Sequence, residues 1–431
     1  MLDNLEYIYK LFLKYPVISI DSRNIIKDSI FWALKGDNFD GNDFVKDAIN
    51  KGASFAITDN INNVTDERII YVENSLTALQ QLALLYRNSL NAKVIGITGT
   101  NGKTTTKELV KEILSQKYKT IANKGNFNNH IGLPLTILSA DDDCEIIITE
   151  MGANHPGEII QLCSIAKPDY GIITNIGKAH LEGFGTYENI VETKKALYDF
   201  VNQNGKLLFV NADNKLLMDL SKNYRKITYG SNTESDCKVY NMSKSIYPEI
   251  QWRYNNNTGF AKTNLAGNYN FENVAAAVCV AAYFNVPSQS ISYALTNYYP
   301  LNNRSQYIKT KNNVLIMDAY NANPTSMQAA IESFALSDFV NKTLILGDML
   351  ELGNYKIEEH KNIIDFIKKF NFKKVILVGE NFYNLNTEKN FISFPDTNSA
   401  HKWLKKNVLA NYTILLKGSR NMKIDTLADC L

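Results

Sequence analysis

Apolar residues recur along this chain in two periods. Some come as unbroken runs of four to six residues bounded by polar or Gly positions. Such runs suit strands buried on both faces and are too short for an ordinary helix. KVIGIT (93–98), EIIIT (145–149), GIIT (171–174) and LLFV (207–210) are runs of this kind in the middle of the chain. NVLIMD (313–318), TLILGD (343–348), KVILVG (374–379) and YTILLKG (412–418) are their counterparts in the last third. Between the runs, apolar positions return every three or four residues, which predicts helices near 103–117, 187–200, 270–284, 324–336, 357–370 and 397–408. Strand–helix alternation predicts a mostly parallel sheet covered on both faces, hence an α/β chain.

The first segment reads differently. A helix near 3–14 is followed by VISI (17–20) and SIFWAL (29–34), a helix near 43–51, SFAIT (54–58) and a helix near 76–90, a small mixed unit. The interval 236–263 is polar and strand-like. With 431 residues, at about 150 per domain, three domains are expected. Their bounds are read as 1–91, 92–303 and 304–431, with PLNNR (300–304) as a hinge.

Composition narrows the chemistry. Hydrophobic residues at 45% and charged residues at 21% exclude wholesale disorder. Lys+Arg 46 against Asp+Glu 44 leaves +2, so no global field draws nucleic acid or an anionic membrane, and an anionic ligand needs a local site. Asp3 and Glu6 stand where a signal peptide carries basic residues, and no apolar run approaches the ~18–20 residues of a membrane span. The five cysteines form no C-x-x-C pair, which argues against a zinc ribbon or disulfide framework and fits a reducing compartment. A cytoplasmic, monomeric, multidomain enzyme with no membrane or nucleic-acid partner is expected.

The strongest local signal is Gly96-Ile97-Thr98-Gly99-Thr100-Asn101-Gly102-Lys103-Thr104-Thr105, which leaves a buried-type strand and enters a helix. Glycines let backbone N–H groups approach an anion, and the helix N-terminus faces it with its dipole. Lys103 suits the β/γ-phosphates, and the Thr104 hydroxyl suits Mg²⁺. Ile97 replaces the first Gly of the strict G-x-x-x-x-G-K-[ST] pattern. Glu150 ends EIIIT, at the C-terminal edge of the sheet where ligands of such folds gather, and can share a Mg²⁺ with Thr104.

With about 95 residues ahead of it, G-T-N-G-K-T-T resembles the phosphate loop of the Mur ligases, ATP-dependent amide-forming enzymes of peptidoglycan precursor synthesis. The resemblance extends over almost the whole chain. It is carried by Asp21-Ser22-Arg23, Asn128-Asn129-x-x-Gly132-x-Pro134, Glu150-Met151-Gly152 and Asn175-Ile176-Gly177-x-Ala179-His180-Leu181-Glu182. Asp318-x-Tyr320-Asn321-Ala322-Asn323-Pro324 and Leu416-Lys417-Gly418-Ser419-Arg420 continue it. Y-N-A-N-P-x-S-M and L-G-D-M-x-E-L-G (346–353) look like the family member that adds D-alanyl-D-alanine to a UDP-linked tripeptide. The implied architecture is a small mixed α/β UDP-binding domain, a central P-loop-type ATPase domain and a Rossmann-like C-terminal domain. The last closes on ATP and binds the incoming dipeptide.

The resemblance also implies roles. Gly99, Thr100, Asn101, Gly102, Lys103, Thr104 and Thr105 would bind ATP phosphates. Asn273 would face the adenine, Asp318 the ribose, with Tyr320 and Asn321 beside it. Arg304 would reach the γ-phosphate, a role suited to its permanently charged fork. Two Mg²⁺ ions would be held by Thr104, Glu150, His180 and Lys194, the last as a carbamate formed with CO₂. Lys194 stands in the family's register before -x-x-Leu-aromatic and Lys195 does not, although the usual A-K-G-E is T-K-K-A here. Lys103, His180, Lys194 and Arg304 form the implied catalytic set. Glu182 reads as structural or substrate-positioning. Ser22, Arg23, Asn128 and Asn129 match the UDP-substrate region, and Asn42, in D-G-N-D-F, replaces a common His.

The function expected is ligation of D-alanyl-D-alanine to UDP-N-acetylmuramoyl-tripeptide through an acyl phosphate. A third-amino-acid-adding relative would carry a D-N-P-R-type motif, absent from the last domain. A folylpolyglutamate synthase would lack a comparable first domain. A P-loop regulatory protein would need neither His180 nor Lys194.

Overall fold

The computed structural model describes residues 2–36, 39–243, 246–300 and 303–431; Leu301 and Asn302 of the expected hinge lie outside the described residues. Its strands form three main sheets. The strand Lys93–Thr98 sits inside a nine-stranded sheet because its residues from Val94 to Thr98 are all buried, as a run apolar on both faces requires. It pairs in parallel with Ile146–Glu150 on one side and Tyr170–Ile173 on the other. Thr120–Ala122 lies beyond the first of these. Leu207–Asn211, Lys226–Gly230 and Cys237–Asn241 continue in parallel beyond the second, and Glu249–Tyr254 and Asn257–Lys262 add two antiparallel strands.

Lys93–Thr98 is therefore the point where the strand order reverses. The chain first moves to one side of it and then returns on the other. The crevice at such a point opens above the C-terminal strand ends, where the backbone leaves in opposite directions. One face of the sheet is covered by Lys103–Leu114 and by Phe271–Tyr283, whose Ala275, Ala276, Ala277 and Ala281 are buried and small enough for close helix–strand approach. The other face is covered by Glu158–Ala166 and Tyr187–Asn204 through Leu162, Leu197, Tyr198 and Val201. Each fully buried Leu or Ile there contributes about 1.5–3 kcal/mol.

The first sheet has four parallel strands, Ile18–Ser19, Ile30–Trp32, Phe55–Thr58 and Ile69–Tyr71. Trp32 is fully buried and donates its indole N–H to Ser75 O at 2.7 Å, tying the sheet to the helix Ser75–Ser89. The third sheet runs Gln306–Lys309, Val314–Asp318, Thr413–Lys417, Lys342–Gly347, Lys374–Val378, Phe391–Phe394, parallel except for its first strand. Its register sets Asp318 beside Lys417 at the C-terminal strand ends.

Most expected elements form within a residue or two of their expected bounds. The helix expected over 103–117 stops at Leu114. Glu150 is the last residue of its strand, at the C-terminal edge of the sheet, and is buried there. Thr120–Ala122, Lys226–Gly230 and Phe391–Phe394 were not anticipated, because so few apolar residues show no period. Among the described residues no helix is long and apolar enough to cross a membrane.

Candidate active site

The loop 99–102 needs its glycines for space as well as conformation. Gly99 has φ 146°, and a Cβ there would stand 1.9 Å from Thr174 Oγ1; Gly102 has φ 79°, and a Cβ would stand 2.2 Å from Asn273 Oδ1. The loop is braced by the segment after Tyr170–Ile173. Thr100 N donates to Asn175 O at 2.8 Å, Asn101 N to Asn175 Oδ1 at 3.0 Å, and Thr174 Oγ1 to Asn101 O at 2.6 Å. Lys103 Nζ donates back to Gly99 O and Thr100 O at 2.8 and 3.0 Å. Burial pushes its ammonium pKa down; the nearby Glu150 opposes this and Arg304 adds to it. A cation in that environment is drawn strongly to phosphate charge.

Thr104, three residues before Lys107 on the same helix, donates to Glu150 Oε1 at 3.1 Å, and Asn128 Nδ2 donates to the same oxygen at 2.8 Å. Glu150 Oε2 is buried without a hydrogen-bond donor, although Lys107 Nζ lies 3.4 Å away. An orphaned carboxylate oxygen beside a Thr hydroxyl at the mouth of a phosphate loop suits a hard divalent cation. Among the described residues no group of three or more His, Cys, Asp or Glu forms a cage for an ion.

Lys107 is the main residue that sequence reasoning missed. It is 2% exposed and donates to Asn123 O and Gly125 O at 3.0 Å each, fastening the loop that carries Asn128 and Asn129. A signal existed: 103, 107, 110 and 114 lie on one helical stripe, and Val110 and Leu114 are core residues. Asn129 Oδ1 accepts from Ile131 N and Gly132 N, so its side chain shapes this loop while the residue lines the cavity.

His180 has φ 52° and also lines the cavity; its Nδ1 is 2.5 Å from Glu351 Oε2 on the third sheet's loops. That contact holds the Glu351 carboxyl below its ordinary pKa. Lys194 is 3% exposed, and no hydrogen bond or ion pair to its amine is present among the described residues. Burial, reinforced by the charge of Lys103, pushes its pKa well down. Lys195 points elsewhere, with both Asp199 oxygens at 2.8 Å.

The third sheet supplies the opposite wall. Asp318 Oδ2 accepts from Lys417 Nζ at 2.6 Å and its Oδ1 from Ser305 N at 3.2 Å. Lys417, which the sequence marks only as part of a motif, is the buried counter-ion of the expected ribose group. The Arg304 guanidinium stacks 3.6 Å over the Tyr320 ring, and Arg420 approaches the same ring at 5.4 Å. Asn323 Nδ2 donates to Asn101 Oδ1 at 2.8 Å, joining the two walls directly. Asn273 accepts from Thr106 Oγ1 at 3.2 Å and donates to Asn270 Oδ1 at 3.0 Å.

A cavity of about 620 Å³ lies between the walls. Thr100 through Thr105, Glu150, His180 and Asn273 line it from one side, and Arg304, Asp318, Tyr320, Asn321 and Lys417 from the other. Asn128 and Asn129 line its flank. Gly99, Lys194, Ser22 and Arg23 do not line it. Arg23 is largely exposed and forks onto Asp21 at 2.7 and 2.8 Å, and Ser22 O accepts from Lys51. Asn42 is buried and fully paired, donating to Asp40 and Asp59 and accepting from Thr58 Oγ1 at 2.6 Å, a structural knot of the first sheet.

Comparison with known proteins agrees with this geometry. Family models match in three consecutive stretches: the Mur ligase family catalytic domain over 14–87, the Mur ligase middle domain over 97–281, and the Mur ligase glutamate ligase domain over 303–420. The chain is 35% identical over 422 residues to the UDP-N-acetylmuramoyl-tripeptide–D-alanyl-D-alanine ligase of Bacillus subtilis, covering 95% of this chain and 92% of that one. It is similar in structure to MurF of Acinetobacter baumannii, with a TM-score of 0.86, 29% identity, and coverage of 96% and 92%. It is also similar to the MurF ligase of Thermotoga maritima in complex with ADP, with a TM-score of 0.85, 27% identity, and coverage of 97% of each chain. With a phosphate loop, a buried carboxylate and a facing third sheet in one cavity, and these matches along its length, the chain belongs to the Mur ligase family.

Proposed function

We propose that this chain is the ATP-dependent ligase that joins D-alanyl-D-alanine to UDP-N-acetylmuramoyl-tripeptide. The observation that carries the reading is the cavity itself. A phosphate loop, a desolvated lysine and a buried carboxylate on one sheet face Arg304, Asp318 and Lys417 on another. Amide formation from a carboxylate and ATP brings two anions together, which only a site rich in fixed cations permits. Relatives such as the Bacillus subtilis protein carry the name of this ligase, and the Thermotoga maritima neighbour was solved with ADP.

In this reading the tripeptide's terminal carboxylate oxygen attacks the γ-phosphorus of ATP. The bond from that phosphorus to the β-phosphate oxygen breaks, leaving an acyl phosphate and ADP. The dipeptide amine then attacks the acyl carbon, loses a proton, and phosphate departs. Lys103 holds the β/γ-phosphates, and Arg304 leaves its stack on Tyr320 to meet the γ-phosphate. Asp318 receives the ribose hydroxyls. Mg²⁺, when bound, neutralises phosphate charge; Thr104, Glu150 and His180 are the side chains that would hold it. The walls shut out water that would hydrolyse the acyl phosphate. Residues 1–91 bind the UDP end through Ser22 and Arg23, 92–303 carry the catalytic groups, and 304–431 close on ATP and receive the dipeptide, in a cytoplasmic monomer.

Lys194 is proposed to act as a carbamate. Its neutral amine adds to CO₂ and releases a proton, leaving a carbamate anion that would help hold the second Mg²⁺. Burial without an acceptor favours the neutral amine that this step needs. Phosphate release measured with and without each substrate tests the assignment. Release that requires both D-alanyl-D-alanine and UDP-tripeptide is expected; release indifferent to the dipeptide, or supported instead by a single amino acid, overturns it.

A further inference from the structure

The motif L-G-D-M-L-E-L-G (346–353) takes no part in the steps above, yet it reaches the site. Leu346 and Gly347 end the strand Lys342–Gly347. Asp348 then accepts from Phe382 N at 3.0 Å and from Asn381 N and Nδ2 at 2.9 Å each, fastening the turn to the helix Glu380–Leu385. Met349 is buried, and its N–H donates to Nε2 of buried His360 at 3.0 Å; Leu352 is buried as well. The turn is thus held on both sides of Glu351, which is left with φ 64°, a backbone conformation that non-glycine residues rarely adopt.

Glu351 Oε2 stands 2.5 Å from His180 Nδ1, across the boundary between the second and third sheets. His180 has positive φ too, so both partners are held in uncommon conformations that bring them together. The docking continues around them. Glu182 N donates to Glu351 O at 3.4 Å, Lys178 pairs with Glu359 at 2.7 Å, and Gly353 packs so closely that a Cβ there would lie 3.3 Å from Glu182 Cα. An ionised carboxylate only accepts, so Nδ1 keeps its proton. In the neutral ring the lone pair then lies on Nε2, for which no hydrogen bond is found among the described residues, on a ring that lines the cavity.

We propose that Glu351 is the positioning residue of His180. From the third sheet it fixes the tautomer and ring orientation that a cation ligand in the second requires, so the ligand is complete only when the two units are docked. The proposal rests on the reading of His180 as a Mg²⁺ ligand. A carboxylate behind a ligating imidazole is a recurrent device, and its loss typically weakens metal binding about ten- to a hundredfold.

The test uses the full chain labelled with [¹⁵N]histidine, whose five imidazoles give a short spectrum. The His180 signals are identified by their loss in His180→Gln. Wild type should show His180 protonated at Nδ1. Glu351→Ala, at a half-exposed side chain and so compatible with folding, should move the ring toward the Nε2–H form that free imidazole prefers. Glu351→Gln still offers a carbonyl oxygen and should keep the Nδ1–H form. Mn²⁺ binding, read by electron paramagnetic resonance with a non-hydrolysable ATP analogue, should weaken about ten- to a hundredfold in Glu351→Ala and far less in Glu351→Gln. An Nε2–H tautomer in wild type, or one unchanged in Glu351→Ala, overturns the proposal. So does unchanged Mn²⁺ affinity in Glu351→Ala when His180→Gln weakens it, since Glu351 is then an interdomain contact only. If His180→Gln also leaves Mn²⁺ affinity unchanged, the metal role of His180 falls, and the proposal falls with it.

Discussion

Lys107 and Glu150 offer a sharp test of how this site is held together. Each side chain is 2% exposed, and their charges approach to 3.4 Å. At an effective dielectric of about 20, two unit charges at that distance attract by about 5 kcal/mol. Lys107→Met keeps the length of the side chain but removes the charge. Glu150 is then buried without its cation, and the carbonyls of Asn123 and Gly125 lose their donor. Breaking a buried pair from one side costs about 3–5 kcal/mol, because the remaining charge stays desolvated. Glu150→Gln should cost less, since Lys107 retains two carbonyl acceptors. The double variant should then cost no more than Lys107→Met alone, a coupling of about 2 kcal/mol or more. Urea unfolding, with hydrogen exchange of peptides from Lys93–Thr98 and Lys103–Leu114 as the local readout, measures all four corners of the cycle. Additivity within about 0.5 kcal/mol would refute the argument, because the two charges would then be independently solvated.

Lys103→Ala should reduce turnover on the order of a hundredfold or more, since the fixed cation facing the transferred phosphate is lost; turnover within about threefold of wild type contradicts the phosphate-loop assignment. Asp318→Asn should raise the KM for ATP and leave that for D-alanyl-D-alanine nearly unchanged, as removal of a uniform ribose contact does. Both variants should lower stability, because buried Lys417 loses its counter-ion in each; Asp318→Ala, which also removes the acceptor oxygen, should cost more, about 3 kcal/mol. Movement of the dipeptide KM alone would place Asp318 in the acceptor site. Lys194→Ala should be nearly inactive and partly rescued by formate or acetate, with wild-type activity falling when CO₂ is stripped. Lys195→Ala should be nearly silent, because its partly exposed pair with Asp199 is worth about 0–1 kcal/mol. A dead Lys195→Ala, or two active variants, refutes the carbamate.

The eight apolar runs determined eight strands of the central and third sheets, because a strand buried on both faces cannot be written with polar residues. The Gly-rich turn entering a helix likewise announced the phosphate loop, since its chemistry is local: seven consecutive residues supply the backbone N–H groups, the lysine and the hydroxyl. What the sequence could not display was pairing between distant residues. Lys107 reads as one more helix lysine until the fold carries Glu150 and the 123–125 carbonyls to it. Asp318 and Lys417 lie 99 residues apart and become neighbours only through strand register. Glu351 and His180 meet only because two sheets present their C-terminal edges to each other. Short strands such as Thr120–Ala122 depended on tertiary partners, because three partly buried residues carry no period of their own. Periodicity reports which face is buried, whereas the partner of a buried charge is chosen by topology, and most of this site is built from such partnerships.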